Sequence, residues 1–400
     1  MQIDCRYAMA IYMALDVWPA LPISIFSRLD DDPYADDTIA ALEFRERITG
    51  IDLSGLSRPQ LESCAASMQE TFPILRTLSL VCDANTPPVI SDTFLGGRAP
   101  RLRNVNLCHV PFPTLPKLLL SANHLVGLHL QEIPETGYIS PDAMATCLAM
   151  LTRLQSVTIS SQFWGSFPEN QESQHPPPMT RAVLPSLTKL TFGGDSSKYL
   201  DDLMARIHLP LLNHLNLVFF NQPTFGVPRL PQIVHHIKTL KPPFAADVGL
   251  YECGTVISLS SPINNQLCLE FQCPESDNQL SWLKGMYPQL LPFLSQIGNL
   301  ELFNHDSDAP VDQDSTLWLE FLGQFSAVKT MMIIDQNSLS QVARVLGELT
   351  DERAAEVLPV LDSIVWFDKT IWDHVKAWLF PLVQPFVDAR QLLGRPVVVR

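Results

Sequence analysis

One apolar pattern recurs along the chain, a core of the form L-x-x-L-x-L that a proline or an asparagine often introduces. It reads Leu75-x-x-Leu78-x-Leu80, Leu102-x-x-Val105-x-Leu107, Leu125-x-x-Leu128-x-Leu130, Leu154-x-x-Val157-x-Ile159, Leu187-x-x-Leu190-x-Phe192 and Leu212-x-x-Leu215-x-Leu217, with anchors 27, 23, 29, 33 and 25 residues apart. The pattern weakens between Phe219 and Tyr287, where Leu267-x-Leu269-x-Phe271 alternates as a strand without a leading anchor. It resumes at Ile297-x-x-Leu300-x-Leu302, Val328-x-x-Met331-x-Ile333 and Leu361-x-x-Ile364-x-Trp366. Between these cores, apolar residues at helical spacing predict helices over 61–72, 144–151, 199–207, 233–240, 317–325 and 339–357. Ser140-Pro141-Asp142 is a helix start, with a serine N-cap, proline at the first helical position and an acid beside it.

A period of this length is close to that of leucine-rich repeats, in which each unit is a short strand and a return that cannot bury its apolar side alone. The expected fold is therefore α/β, an irregular leucine-rich-repeat-like solenoid with parallel strands on the concave side and helices on the convex side. The asparagine that usually follows L-x-L and satisfies turn backbone is missing: Asp83, Val110, Ile133, Gln162 and Asp195 stand there instead. The turns are expected to satisfy their backbone by differing local means. Residues 167–180, with Pro176-Pro177-Pro178, are expected to form a protruding loop.

Composition supports a folded chain: 46% of residues are hydrophobic and 17% charged, without the apolar depletion that marks disorder. Lys+Arg 27 against Asp+Glu 42 gives a net charge of -15, which repels phosphate backbones and anionic lipid, so neither nucleic acid nor membrane is expected as a partner. Cys5, Cys64, Cys82, Cys108, Cys147, Cys253, Cys268 and Cys273 show no zinc spacing and are expected to be free thiols in a reducing compartment, the cytoplasm or nucleus. The apolar run from Tyr7 to Leu15 lacks the flanks of a secretion signal, and no segment is long and apolar enough to span a bilayer.

No phosphate-cradling glycine loop, G-x-S-x-G elbow or H-E-x-x-H helix occurs. Ser186-Leu187-Thr188-Lys189 fits S-x-x-K by letter, but Leu187 is a repeat anchor. Gly96-Gly97 and Gly193-Gly194 read as turn glycines. His235-His236 has no ligand at metal spacing, and a calcium loop counted from Asp306 would need glycine at Val311 and glutamate at Leu317. Catalytic, metal and cofactor-binding residues are therefore expected to be none. What remains is the open strand face, to which alternation sends the residues between the leucines. These are Thr77, Ser79, Asn104, Asn106, Gly127, His129, Ser156, Thr158, Lys189, Thr191, His214 and Asn216. They can hydrogen-bond a partner without strong charge steering. Met332 and Val365 occupy equivalent positions farther along, where the face becomes more apolar.

Several phrases resemble a fungal family of F-box proteins with leucine-rich-repeat-like carboxyl-terminal regions. They are Phe94-Leu95-Gly96-Gly97-Arg98-Ala99-Pro100-Arg101-Leu102-Arg103, Pro111-Phe112-Pro113 through Leu118-Leu119-Leu120-Ser121, Gly137-Tyr138-Ile139-Ser140-Pro141, Glu356-Val357-Leu358-Pro359, and Phe386-Val387-Asp388-Ala389-Arg390-Gln391-Leu392 with Pro396. The resemblance covers about residues 38 to 400 and implies a substrate-recognition subunit of a cullin-type ubiquitin ligase, whose F-box grips the ligase adaptor while the repeats hold a protein target. The chain departs from the family at Leu21-Pro22-Ile23-Ser24-Ile25-Phe26-Ser27-Arg28-Leu29, which imitates an F-box opening but is about one helical turn short and lacks the basic-Trp element. The expected organisation is a segment 1–37 with a degenerate or absent F-box, repeats over 38–369 and a helical cap over 370–400. Residues 1–37 are expected to pack loosely or against the first repeat. The cap is expected as one kinked or two short helices, bent at Pro381 and Pro385, that place Trp372, Val375, Leu379, Phe386 and Leu393 against the Leu361-x-x-Ile364 repeat. The expected function is a protein-interaction scaffold for an unidentified protein target, with a ligase adaptor as second partner if an F-box surface exists; the alternative is an adaptor or structural repeat protein with no ligase role.

Overall fold

The computed structural model describes residues 3–4, 21–29, 35–161, 181–194, 197–220, 244–251, 254–261, 266–272, 284, 290–291, 293–304, 315–334, 336–366 and 372–400. The chain divides into two compact units, Met1–Leu212 and Asn213–Arg400.

In the first unit the strands are β1 (Ile3–Asp4), β2 (Ile23–Arg28), β3 (Ile48–Leu56), β4 (Thr77–Cys82), β5 (Asn104–Cys108), β6 (Gly127–Gln131), β7 (Ser156–Ser161), β8 (Ala182–Val183), β9 (Lys189–Gly194) and β10 (Ile207–His208). Strands β1 to β7 and then β9 lie side by side in chain order, and every pairing is parallel. The short β8 and β10 pair with each other. Parallel neighbours require a return between them. Here the returns are the Arg58–Ser67 helix, a 3-10 turn at Phe94–Gly97, a single turn at Leu115–Leu119 and the Pro141–Met150 helix. Each unit of pattern is thus one strand-and-return coil, and the coils stack as the leucine spacing predicts.

The register explains the spacing. Leu78, Val105, Leu128, Val157 and Leu190 are direct partners across five strands, as are Leu80, Leu107, Leu130, Ile159 and Phe192. All ten are at most 2% exposed. At about 1.5–3 kcal/mol for each fully buried side chain, these two ladders are the main attraction between coils. The anchors Leu75, Leu102, Leu125, Leu154 and Leu187 are buried just ahead of the strands. The residue after each anchor extends the ladder: Arg76 N donates to Thr49 O (2.8 Å), Arg103 to Arg76 (2.7 Å), Val126 to Arg103 (2.7 Å), Gln155 to Val126 (2.8 Å) and Thr188 to Gln155 (2.9 Å).

The ladder also runs earlier than the leucine pattern marks. Ile48-x-x-Ile51-x-Leu53 forms β3 with all three residues buried, 27 residues before Leu75. The Leu21–Leu29 phrase contributes β2, whose Ile23 and Ile25 are buried and which pairs with β3, so these residues belong to the sheet and not to a loosely packed segment.

Where the repeat asparagine is missing, the chain uses two other devices. Val110 and Ile133 are buried at that position and pack into the core. The preceding residues, His109 (φ 55) and Glu132 (φ 50), take the left-handed conformation to turn the chain, and His109 N donates to Gln131 O at 2.9 Å. Gly96 and Gly97 supply positive φ at the return after β4, as expected of turn glycines, whereas Gly193 and Gly194 continue strand β9. The Arg58–Ser67 helix starts earlier than its apolar spacing indicates because Ser57 and Gln60 form a capping box, in which Ser57 N donates to Gln60 Oε1 (2.8 Å). Ser140 caps the Pro141–Met150 helix as predicted, accepting from Ala143 N at 3.2 Å.

The second unit contains β11 (His214–Phe220), β12 (Ala245–Tyr251), β13 (Gly254–Ser260), β14 (Gln266–Gln272), β15 (Asn299–Asn304), β16 (Thr330–Ile333), β17 (Ser363–Trp366) and β18 (Val398–Val399). Their lateral order is β11-β14-β13-β12-β15-β16-β17-β18. All pairings are parallel except those of β13, which runs against both β12 and β14. This departure from an all-parallel ladder falls where the leucine pattern weakens. Register pairs Tyr251 with Gly254, leaving two residues to join β12 to β13, and a connection that short permits only an antiparallel neighbour. Because β12 and β14 flank the reversed strand, both keep the direction of β11 and β15.

The predicted helices over 317–325 and 339–357 appear as Ser315–Leu322 and as Gln336–Gly347 followed by a 3-10 turn at Glu352–Ala355. The predicted helix over 233–240, the 167–180 loop, His235-His236 and the Asp306 loop lie outside the described residues. The segment from Trp372 to Leu392 is one helix with Pro381 and Pro385 inside it. Phe386 is buried as expected, with Val383 and Arg390, but Leu393 is 41% exposed. Leu393 turns outward because the helix ends there: Gly394 (φ 71) donates to Gln391 O (3.1 Å) and Arg395 N to Arg390 O (2.8 Å), a glycine-closed C-terminus. The side chains of Trp372, Val375 and Leu379 lie outside the described set. Beyond Gly394 the chain re-enters the sheet as β18, paired with β17.

Candidate functional site

Burying the leucines on one side of the first unit's sheet leaves the alternate residues on the other, in two straight rows. The first row is Ser24, Gly50, Thr77, Asn104, Gly127, Ser156 and Lys189; the second is Phe26, Asp52, Ser79, Asn106, His129, Thr158 and Thr191. Thr77, Ser79, Asn104, Asn106, His129, Ser156, Thr158, Lys189 and Thr191, named from the sequence, therefore share one face in register. His214 and Asn216 lie on β11 of the second unit, opposite Gln266 and Cys268. Ser24, Phe26, Gly50 and Asp52 extend the first unit's face, beyond the coils that the L-x-x-L-x-L pattern marks.

Some of these groups already satisfy one another. Asn106 Nδ2 donates to Ser79 Oγ at 3.1 Å, and His129 Nδ1 pairs with Thr158 Oγ1 at 3.0 Å. Thr158, only 7% exposed, holds the His129 ring from the adjacent strand. Burial and the Lys189 charge pull the His129 pKa below its ordinary value, so the imidazole is neutral at physiological pH. Gly127 carries no side chain because its neighbours fill the space: a Cβ there would stand 2.8 Å from Asn104 Oδ1 and 3.3 Å from His129 Nε2. The S-x-x-K letters carry no paired chemistry, since Ser186 Oγ donates to Thr152 O (2.7 Å) beside the buried anchor Leu187.

The second unit's open face differs in charge. Asp247 on β12 and Glu301 on β15 are direct register partners. Burial raises the Asp247 pKa, and burial together with the Asp247 charge raises that of Glu301. A carboxyl whose folded pKa exceeds its unfolded value destabilises the fold above that pKa, and the penalty disappears as pH falls towards the unfolded value. Asp247→Asn is therefore expected to stabilise the protein at pH 7, with the advantage over wild type shrinking as pH is lowered into the ordinary carboxylate range. Urea unfolding of both proteins across pH checks this; a constant difference contradicts it. Farther along, Met332 and Val365 are register partners on the same face.

Cys64, Cys82, Cys108, Cys147 and Cys268 are free thiols. Burial pushes Cys64 and Cys147 up to about 12, and burial with neighbouring carboxylates pushes Cys108 and Cys268 up to about 11, so all four are poor nucleophiles at neutral pH. Among the described residues no group of three or more His, Cys, Asp or Glu side chains could hold a metal ion, and no helix is long and apolar enough to cross a membrane.

No protein-family model matches the sequence, and none of the curated proteins compared with it does. Among solved structures, one titled "Crystal structure of TLR13-ssRNA13 complex" is similar over 86% of this chain at 15% identity, with a TM-score of 0.33. The match spans 41% of that chain's length.

Proposed function

We propose that the open strand face of the first unit is a protein-binding surface and that the chain is a non-catalytic recognition scaffold. The observation that carries this reading is the register itself: nine polar side chains from five strands stand in two rows on one open face, with the Asn104 amide and the Lys189 ammonium left without partners among the described residues. Neutral polar rows supply hydrogen bonds, and the net charge of -15 disfavours nucleic acid as the occupant. The finer reading, a substrate-recognition module related to the F-box subunits of cullin-type ubiquitin ligases, rests on the resembling phrases. It assigns no adaptor-gripping role to Leu21–Leu29, because those residues supply strand β2.

A photo-crosslinking amino acid placed at Thr77 or Asn104 on the face, and at Leu120 or Met150 on the exposed return side, tests the surface in cells. Specific protein adducts are expected from the face positions. Adducts from the return side alone would overturn the reading. Recovery of a ligase adaptor with the full chain separates the ligase role from that of a plain adaptor protein.

A further inference from the structure

Charge in the first unit is sorted along the strands. Because β4 to β7 and β9 all run one way, each coil enters the sheet at the same rim, and the residues flanking the buried anchors line it. Arg76, Arg101, Arg103, His124, Arg153 and Lys189 stand there, at least one from every coil between β4 and β9, and all six are exposed. The entering segments 71–77, 98–104, 121–127, 151–156 and 184–189 contain no Asp or Glu, in a chain whose net charge is -15. Exposed carboxylates stand instead at the opposite rim, where Asp83 and Glu132 follow the ends of β4 and β6. Neighbouring coils bring the basic groups together. Arg103 N donates to Arg76 O (2.7 Å), which sets those two residues side by side, and Arg153 Nη1 donates to His124 Nδ1 (3.1 Å). Like charges opposite each other on adjacent strands destabilise a sheet. Yet the side chains of Arg76, Arg101 and Arg103 have no hydrogen-bond or ion-pair partner among the described residues to offset that repulsion.

We propose that this rim is the docking site for an acidic segment of a partner protein, whose Asp and Glu side chains are received by Arg76, Arg101 and Arg103. A planar guanidinium holds a carboxylate through two parallel N–H bonds, and exposure leaves those donors open to solvent and to a partner. Charge complementarity selects the sign of the partner, and two further observations select its class. A nucleic acid carries phosphates along its whole length, and the net charge of -15, with Asp83 and Glu132 across the same unit, repels whatever extends beyond the rim. Single strands are also held by stacking on aromatic rings, but Phe72, the only Phe, Tyr or Trp in the entering segments, is 2% exposed. A peptide brings its acids on a short stretch, together with a backbone that the adjoining polar row, which includes Thr77 and Asn104, can hydrogen-bond. This inference rests on the protein-binding reading of that face and adds the charge of the partner.

The test is panning of a random dodecapeptide phage library on the full chain, followed by affinity measurements with synthetic copies of the enriched peptides. Enrichment of peptides with several Asp or Glu residues is expected. Their affinity should fall at least about tenfold for Arg76→Glu and for Arg103→Glu, and likewise when the peptide acids are changed to amides. Arg103→Lys, which keeps the charge without the fork, should lose less than Arg103→Glu. Lys117→Glu, the same charge change on an exposed return, should leave affinity within about twofold. The arginine variants alter exposed side chains, so loss of fold is not expected, and the thermal unfolding of each checks this. Failure to enrich acidic peptides, or equal losses for Lys117→Glu, overturns the proposal. So does a single-stranded oligothymidylate that binds more tightly than the peptides and is released by Arg103→Glu, since the rim would then be a nucleic-acid surface. Peptides that bind regardless of acidity yet are blocked by Ser79→Arg would sink the rim while leaving the protein-binding face standing.

Discussion

Replacing Arg390 by alanine is expected to destabilise the second unit by about 3 kcal/mol, the upper end of the cost of stranding buried polar groups. Arg390 is 1% exposed, yet among the described residues no carboxylate pairs with it. Its guanidinium instead donates to five backbone carbonyls: Nε to Arg395 O (3.2 Å), Nη1 to Ala354 O (3.3 Å), Leu358 O (3.3 Å) and Pro359 O (3.4 Å), and Nη2 to Leu361 O (2.9 Å). Four of these carbonyls belong to the irregular turn before β17, in which Leu358 has φ 52, and the fifth, Arg395 O, lies just beyond the end of the last helix. The planar five-donor fork fits that cluster, and its Cζ lies over the Phe386 ring, 5.9 Å from the centroid. Arg390→Lys keeps the charge but not the fork, so it should recover only part of the loss. Urea unfolding of the full chain measures both; an alanine variant within about 0.5 kcal/mol of wild type would show that the carbonyls find water instead.

Gly347→Ala should also destabilise, by about 2–3 kcal/mol, and here the sign is the test. In an exposed helix, alanine for glycine gains about 1 kcal/mol. At the end of the Gln336–Gly347 helix, however, a Cβ would stand 2.3 Å from the Leu382 carbonyl oxygen, a backbone atom of the neighbouring Trp372–Leu392 helix. A backbone atom cannot swing aside as a side chain can, so the helices must separate. A lower melting temperature is the expected result, and a raised one would mean that the two helices do not pack this closely.

These two contacts mark what the sequence leaves unread. Leu78, Val105, Leu128 and Val157 announce their strands because burial on one face demands apolar residues at fixed spacing, and the face opposite follows from alternation alone. Ile48-x-x-Ile51-x-Leu53 obeys the same rule, with isoleucine for leucine at two of its three positions. The reversal of β13 depends on a two-residue connection, and nothing in the apolar alternation of 245–260 distinguishes a parallel from an antiparallel neighbour. Arg390 reads as one surface charge among many, because its five acceptors lie on turns whose shape appears only after folding. Two phrases quoted for their resemblance, Glu356-Val357-Leu358-Pro359 and Phe386 through Leu392, prove to meet through that side chain. The polar residues of the candidate face were legible by position, but the pairing of His129 with Thr158 and the crowding of Asn104 and His129 around Gly127 required the register.

That register is the central claim, since both the fold and the proposed surface depend on it, and cysteine pairing tests it most directly. Ser79 and Asn106 are partners on adjacent parallel strands about 4.8 Å apart, within the reach of a disulfide, and the buried native thiols Cys64 and Cys147 are held too basic to compete readily. Ser79→Cys with Asn106→Cys should oxidise rapidly to an internal crosslink in the folded protein, and Ser79→Cys with Thr158→Cys, three strands apart, should not. Equal oxidation of the two pairs, or of neither, would contradict the ladder.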